Sequence, residues 1–95
     1  MPRYPEVRRD LALLLDENVP FSELRKTAFQ TEKQMLKNVS LFDVYRGDKI
    51  PAGKKQYAMN FVIQNPDQTL TDSDVERIMG KILGAFENKH RAALR

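Results

Sequence analysis

The chain has 95 residues, with 16 lysines and arginines against 13 aspartates and glutamates, which gives a formal net charge of +3 at pH 7. This length suits one domain, and the mildly basic balance is compatible with a polyanionic partner. The absence of cysteine excludes a disulfide framework, a thiol nucleophile and a zinc–thiolate site. With no run of about 18 apolar residues and no hydrophobic signal region, we expect neither a membrane span nor a secretory signal.

Motifs for catalysis and for phosphate binding are scarce. The one histidine is His90, and neither a Walker-type loop nor a dinucleotide-binding glycine motif occurs. The sequence therefore favours a binding module over an enzyme.

The first part of the chain predicts a strand followed by a helix. Residues 8–16 form a short apolar run bounded by charge, which is typical of a strand, although periodicity alone leaves a buried helical turn open. Pro20 suits a first helical turn, and Leu24, Ala28 and Met35 recur at helical spacing. We therefore predict a helix over residues 20–31 or a little beyond.

Residues 39–46 and 55–64 predict two strands joined by a loop. The first is rich in β-branched and aromatic residues, and the second alternates cleanly between apolar and polar positions. The loop between them contains Gly47 and Gly53, which can adopt positive φ. The two strands are expected to pair as a hairpin.

A second helix is predicted after Thr71, because residues 71–74 have the Thr-x-x-Asp spacing of a helix start. An apolar stripe at helical spacing follows it: Val75, Ile78, Met79, Ile82, Leu83 and Phe86. We interpret Gly80 and Gly84, one turn apart, as small residues that allow the helix to approach the sheet closely. Residues 92–95 are candidates for a final edge strand.

This order of elements is that of the α+β ferredoxin-like or RRM-like fold, βαββαβ, in which a four-stranded antiparallel sheet carries two helices on one face. Strand alternation then assigns residues to the two faces. Toward the helices it places Leu11, Leu13, Leu15, Phe42, Val44, Tyr57, Met59, Phe61 and Ile63. On the open face it places Asp10, Ala12, Leu14, Leu41, Asp43, Tyr45, Gln56, Ala58 and Asn60.

The predicted open face offers what single-stranded RNA requires: Tyr45 for stacking, with Asp43 and Gln56 for hydrogen bonds to base edges. Cations that would attract phosphates are expected around it: Arg8, Arg9, Arg46, Lys54 and Lys55. Plainer interpretations stay open, with Tyr45 as a cross-strand packing residue, Asp43 as a surface partner of Arg46 and the lysines as edge-strand charges. His90 is expected to be an exposed residue at a helix end.

Several segments, in order along essentially the whole chain, resemble one known family. They are Tyr-Pro-Glu-Val-Arg-Arg-Asp-Leu-Ala at residues 4–12, Val-Ser-Leu-Phe-Asp-Val-Tyr-Arg-Gly at 39–47, Gly-Lys-Lys at 53–55, Thr-Leu-Thr-Asp at 69–72 and a terminal Ala-Ala-Leu-Arg. Together they are similar to the ferredoxin-fold anticodon-binding domain of the bacterial phenylalanyl-tRNA synthetase β subunit. The resemblance implies that residues 1–95 are a single anticodon-binding domain and a fragment of a longer subunit.

The resemblance also implies roles for four open-face residues. Tyr45 would stack on the first anticodon base of tRNA(Phe), Asp43 would accept hydrogen bonds from that base, and Ala12 would line its seat. Gln56 would add a polar contact, at a position where related sequences often carry serine. The family usually has glycine where Arg91 stands, so the turn before the last strand is expected to differ, with a frayed or extended helix.

Partners and cofactors follow from the same resemblance. The domain itself would bind no cofactor and catalyse no step, whereas ATP and Mg²⁺ would serve the parent phenylalanine–tRNA ligase, whose chemistry takes place on the α subunit. The partners would be the anticodon of tRNA(Phe), the remainder of the β subunit and the catalytic α subunit, in a cytoplasmic heterotetramer that contacts no membrane.

Two rival classes share this small fold. An acylphosphatase-like hydrolase needs a glycine-rich anion loop after the first strand, where residues 15–18, Leu-Asp-Glu-Asn, are acidic and lack glycine. A small-molecule regulatory domain of the ACT type would assemble through its sheet edges and bind its ligand at the interface.

Overall fold

The computed structural model describes residues 5–47 and 49–94. Tyr4 of the first family-like segment, Asp48 of the predicted loop and the terminal Arg95 lie outside the described residues. Six elements follow in order: β1 (Val7–Asp16), α1 (Phe21–Thr31), β2 (Leu36–Tyr45), β3 (Lys54–Ile63), α2 (Asp72–His90) and β4 (Ala93–Leu94). Each predicted element is confirmed, including the short final strand.

The four strands form one sheet in the order β2-β3-β1-β4, and every neighbouring pair is antiparallel. β1 pairs with β3 without a register shift from Val7↔Ile63 to Asp16↔Lys54. This arrangement confirms the ferredoxin-like fold. Within residues 5–47 and 49–94, no helix is long and apolar enough to cross a membrane.

One core joins the sheet to the two helices, and on β1 and β3 it takes odd-numbered residues, as alternation predicts. The Phe61 and Phe86 rings, from β3 and α2, pack with their centroids 6.2 Å apart. Each large side chain buried in this way contributes about 1.5–3 kcal/mol. The principal core residues are Leu13, Leu15, Leu24, Ala28, Val39, Tyr57, Met59, Phe61, Ile63, Val75, Ile78, Ile82 and Phe86.

Both ends of α2 are well defined. At its start, the Asp74 N–H donates to the Thr71 hydroxyl and the Thr71 N–H donates to the Asp74 carboxylate, each at 3.1 Å. These hydrogen bonds hold the pKa of Asp74 below its ordinary value. At the other end, Arg91 adopts the left-handed conformation with φ of 54°. The helix therefore ends at His90 in a tight turn although residue 91 is arginine, and the expected frayed or extended helix was wrong.

The assignment of β2 residues to the two faces was wrong at two positions. Leu41 opposes Met59 and packs against the core, whereas the next paired residue, Asp43, opposes Ala58. Phe42 is therefore the extra residue of a β-bulge, and it is 60% exposed. Because the bulge restores the phase of the strand after it, Asp43 still reaches the open face.

Two further expectations were wrong. A Cβ added to Gly80 or Gly84 would meet no atom within 4 Å, so neither glycine is needed for a close approach of helix and sheet. His90 is half-buried rather than exposed, and its Nε2 lies 2.8 Å from the hydroxyl oxygen of the buried Thr27. That contact ties the last turn of α2 to α1.

Candidate nucleic-acid interface

The open face brings the four residues implied by the resemblance into two neighbouring rows across the sheet. Directly opposed residues of antiparallel strands share a face, and successive rows on one face are two residues apart, roughly 6.6 Å. One row contains Asp43, Ala58 and Ala12, and its neighbour contains Tyr45, Gln56 and Leu14. We call these six residues the base seat.

Tyr45 and Asp43 are coupled within the base seat. A hydrogen bond to the Asp43 carboxylate, together with the negative charge of that group, raises the pKa of the Tyr45 phenol above its ordinary value. The Tyr45 side chain is nevertheless 47% exposed. Asp43 Oδ1 also accepts the Val44 N–H at 2.9 Å. Tyr45 is thus influenced by a neighbouring carboxylate while the surface of its ring stays open to a ligand.

The middle of the base seat is floored by small side chains. Ala12 and Ala58 face each other across the two central strands, β1 and β3. Because each contributes only a methyl group, the sheet surface beside the Tyr45 ring is low enough to admit a flat group. Gln56 opposes Tyr45 and adds a carboxamide, with both a donor and an acceptor, at the border of this space.

The cations near the base seat already have carboxylate partners. Arg8 and Lys54 start from the open-face side of the sheet; Arg8 lies 3.7 Å from Glu6, and Lys54 Nζ lies 2.5 Å from Asp16 Oδ1. The hydrogen bond and charge of Lys54 hold the pKa of Asp16 below its ordinary value.

Arg46 likewise has a partner: its Nε lies 3.5 Å from Glu17, so the alternative in which Asp43 is the surface partner of Arg46 is wrong. A phosphate bound at Arg8, Lys54 or Arg46 must compete with the carboxylate already there, and we expect each to attract RNA only moderately.

Two of the expected phosphate-binding residues lie on the other side of the sheet. Lys55 opposes the core residue Leu15, is only 3% exposed, and its Nζ donates to the Tyr57 hydroxyl at 2.7 Å. The prediction that Lys55 borders the open face was therefore wrong. Arg9 opposes the core residue Phe61 and so starts from the helix-facing side as well, although its side chain is exposed.

Sequence reasoning missed Ser40, which lies on the open face. It opposes Asn60, an open-face residue of β3, although strict alternation through β2 places residue 40 with the core. The cause is the bulge at Phe42, for which the sequence of β2 carries no glycine or proline signal.

The turn after β1, where an acylphosphatase-like enzyme would bind its phosphate, is acidic in the structure too. A shallow cleft there is lined by Asp16, Glu17, Asn18 and Gly53. Its two carboxylates would compete with a phosphate for Lys54 and Arg46, the cations they already pair with, so this end of the sheet does not support that rival. Over the part of the chain that the structure describes, no three metal-ligating side chains are grouped to hold a metal ion.

A ferredoxin-like sheet with helices on one side, and an exposed tyrosine and carboxylate beside a half-buried carboxamide on the other, defines the class of RRM-like binding domains. Within that class, residues 2–95 match the family model of the ferredoxin-fold anticodon-binding domain. The chain belongs to this family.

Curated relatives resemble the chain over nearly its whole length. It is 53% identical over 93 residues to the phenylalanine–tRNA ligase beta subunit of Bacteroides thetaiotaomicron, covering 98% of this chain and 11% of the relative. It is 52% identical to that of Porphyromonas gingivalis and 39% identical to that of Bacillus subtilis, in each case over 100% of this chain and 12% of the relative. The chain thus spans about a tenth of the length of these relatives.

Proposed function

We propose that this chain recognises the anticodon of tRNA(Phe) with its base seat, as a module of a phenylalanine–tRNA ligase beta subunit. The observation that supports this most directly is the Tyr45–Asp43 pair, an exposed ring and a carboxylate in neighbouring rows of the face without helices. Binding at this face needs no movement of the core, because the helices pack on the other side of the sheet.

Each residue of the base seat has a separate role in this proposal. The Tyr45 ring stacks on the first anticodon base, and the Asp43 carboxylate accepts hydrogen bonds from the N–H groups of that base. The small Ala12 side chain lets the base lie flat on the sheet. Gln56 forms a hydrogen bond with a polar group at the edge of that base. Stacking is indifferent to base identity, so selectivity comes from Asp43 and Gln56.

Phosphate attraction positions the RNA without selecting its sequence. Arg8, Arg46 and Lys54 supply it from the border of the open face, whereas the buried Lys55 takes no part. Since each of the three cations has a carboxylate partner and the net charge is only +3, we expect this chain alone to bind weakly and with a modest dependence on salt.

In this proposal amino-acid activation and transfer, with ATP and Mg²⁺, take place on the catalytic α subunit, and this domain contributes recognition alone. The rest of the beta subunit and the α subunit, in a heterotetramer that works in cytoplasmic translation, add further affinity for the tRNA.

The test is a titration of the chain with a tRNA(Phe) transcript and with the same transcript carrying a replaced anticodon. We expect the wild type to prefer the cognate transcript and Tyr45→Ala to lose about tenfold in affinity for it, because a stacking contact is removed. Phe42→Ala is the matched control, since it removes an exposed aromatic ring of the same strand outside the base seat. Equal binding of both transcripts by the wild type would reduce the interaction to nonspecific attraction.

A further inference from the structure

A second polar row crosses the open face beside the base seat. Asn60 lies at its centre on β3, with Ser40 opposite it on β2 and Asp10 opposite it on β1. Asn60 is two residues from Ala58, so this row lies roughly 6.6 Å from the row that contains Asp43. We call Ser40, Asn60 and Asp10 the second row.

The β-bulge is what joins the second row to the base seat. Ser40 and Asp43 are three residues apart in β2, an odd separation that would put them on opposite faces of a regular strand. They oppose Asn60 and Ala58, which are two residues apart in β3, because Phe42 is the unpaired extra residue. Both side chains therefore belong to one continuous surface.

The second row has a fixed hydrogen-bonding character. Asn60 Nδ2 donates to Asp10 Oδ1 at 2.8 Å, which orients the carboxamide. This hydrogen bond leaves four other polar groups on the three side chains: the Asn60 carbonyl, the second Asn60 N–H, the other Asp10 oxygen and the Ser40 hydroxyl. Acceptors outnumber donors, so the row is complementary to a base edge that carries an amino group.

Uracil fits this row poorly, because its Watson–Crick edge presents two carbonyl oxygens and a single N–H. Adenine fits better: its exocyclic amine can donate to the Asn60 carbonyl or to Asp10 while a ring nitrogen accepts from the carboxamide. Arg8 opposes Val62, one row further along the same face, where its exposed guanidinium can meet the phosphate of such a nucleotide.

We propose that Ser40, Asn60 and Asp10 form a second nucleotide seat, which holds the base 3′ of the one on Tyr45 and selects a base with an exocyclic amine. This inference rests on the proposed function, since it extends the same bound RNA strand by one nucleotide. The carboxamide acts as the reading group, and Asp10 positions it.

The test uses anticodon stem-loops of tRNA(Phe) in which only the second anticodon base varies: adenine, purine riboside without the amine, or uracil. We expect the wild-type chain to lose about tenfold in affinity when the amine is deleted, the effect of losing base-specific hydrogen bonds. Asn60→Ala should bind the adenine and purine stem-loops with equal affinity. Adding Tyr45→Ala to this variant should lower its affinity for RNA by the same factor as in the wild type. Asp10→Ala should weaken the discrimination, because the carboxamide loses its orienting partner.

Asn88→Ala, on an exposed position of α2, is the matched control and should discriminate as the wild type does. Thermal unfolding of each variant shows whether the fold is retained. Equal affinity of the wild type for all three stem-loops, combined with a loss in Tyr45→Ala, would overturn the second seat alone. Indifference of the wild type to the whole anticodon would overturn the proposed function as well.

Discussion

Lys55 and Tyr57 form a buried pair on the helix-facing side of the sheet, with Lys55 Nζ 2.7 Å from the Tyr57 hydroxyl and 4.5 Å from the centre of its ring. The neighbouring Lys54 points to the other side and pairs with Asp16. The two consecutive lysines thus lie in different environments: Lys55 packs in the protein interior, and Lys54 borders the proposed RNA surface.

Lys55→Ala should therefore destabilise the fold and leave RNA binding unchanged. The substitution removes the buried alkyl chain and leaves the Tyr57 hydroxyl without its donor, at a cost of about 1–3 kcal/mol. Urea denaturation measures this cost, and titration with the tRNA(Phe) transcript measures binding. Lys54→Ala is the matched control: it should weaken RNA binding and leave the free energy of unfolding nearly unchanged. A loss of RNA affinity in a folded Lys55→Ala variant would contradict the structure.

Asp16→Asn should strengthen RNA binding and make it more sensitive to salt. The carboxylate that competes for Lys54 is removed, so the lysine can neutralise one more phosphate. We expect the slope of log K against log salt concentration to become steeper by about 0.7, the value for one contact on a single strand. Affinity measured at several NaCl concentrations gives the slope, and Asp67→Asn in the β3–α2 loop is the control. An unchanged slope would mean that Lys54 meets no phosphate.

Gly80→Ala should stabilise the protein by about 1 kcal/mol, because alanine restricts the unfolded chain and the new methyl group meets no atom within 4 Å. The midpoint of thermal unfolding should rise accordingly. Gly53→Ala is the contrasting variant: its φ of +78° is strained for any side chain, so the midpoint should fall. A fall for Gly80→Ala would restore the interpretation of that glycine as a packing residue.

Arg91→Gly should also stabilise the fold, since a non-glycine residue in the left-handed region costs about 1–2 kcal/mol. The gain is expected in the free energy of unfolding measured with urea. Lys89→Gly, in the last regular turn of α2, serves as the comparison and should destabilise by about 1 kcal/mol. If both variants destabilise equally, the end of α2 is helical through residue 91.

Glu32 should contribute to the acid sensitivity of the fold. Burial opposes its ionisation, but hydrogen bonds from Lys81 and from the Met35 and Gln34 N–H groups outweigh that effect and hold its pKa below the ordinary value of 4.5. The folded protein therefore releases this proton more readily than the unfolded chain does. Its stabilising contribution is complete above pH 4.5 and is lost as the pH falls through the lower folded value.

Glu32→Gln should accordingly show a smaller fall in the free energy of unfolding over that acid range than the wild type. Urea denaturation at a series of pH values measures the difference, and Glu87→Gln, at an exposed position of α2, is the control. Parallel pH profiles for Glu32→Gln and the wild type would show that the Lys81 pair contributes nothing to folding.

Local patterns were sufficient for the order of elements and for most of the base seat. The period of two in β3 separates Gln56 from Tyr57 whatever the strand packs against, and the Thr71–Asp74 spacing marks the start of α2 because its hydrogen bonds form within four residues. Asp43 and Tyr45 were placed correctly on the open face, although the β2 residues just before them were assigned to the wrong faces.

The remaining features depend on contacts between segments distant in the chain. Alternation assumes an unbroken ladder, whereas the bulge at Phe42 arises from how β2 registers on β3, and it moves Leu41 into the core and Ser40 out of it. The burial of Lys55 depends on Tyr57, which supplies both a hydroxyl and a ring. Gly80 is exposed on α2, so it allows no close approach to the sheet. The composition and periodicity of a chain establish which side of each element is apolar and which is polar. Strand register and packing distance follow from the balance of many tertiary contacts, and the register decides which polar groups meet on the open face.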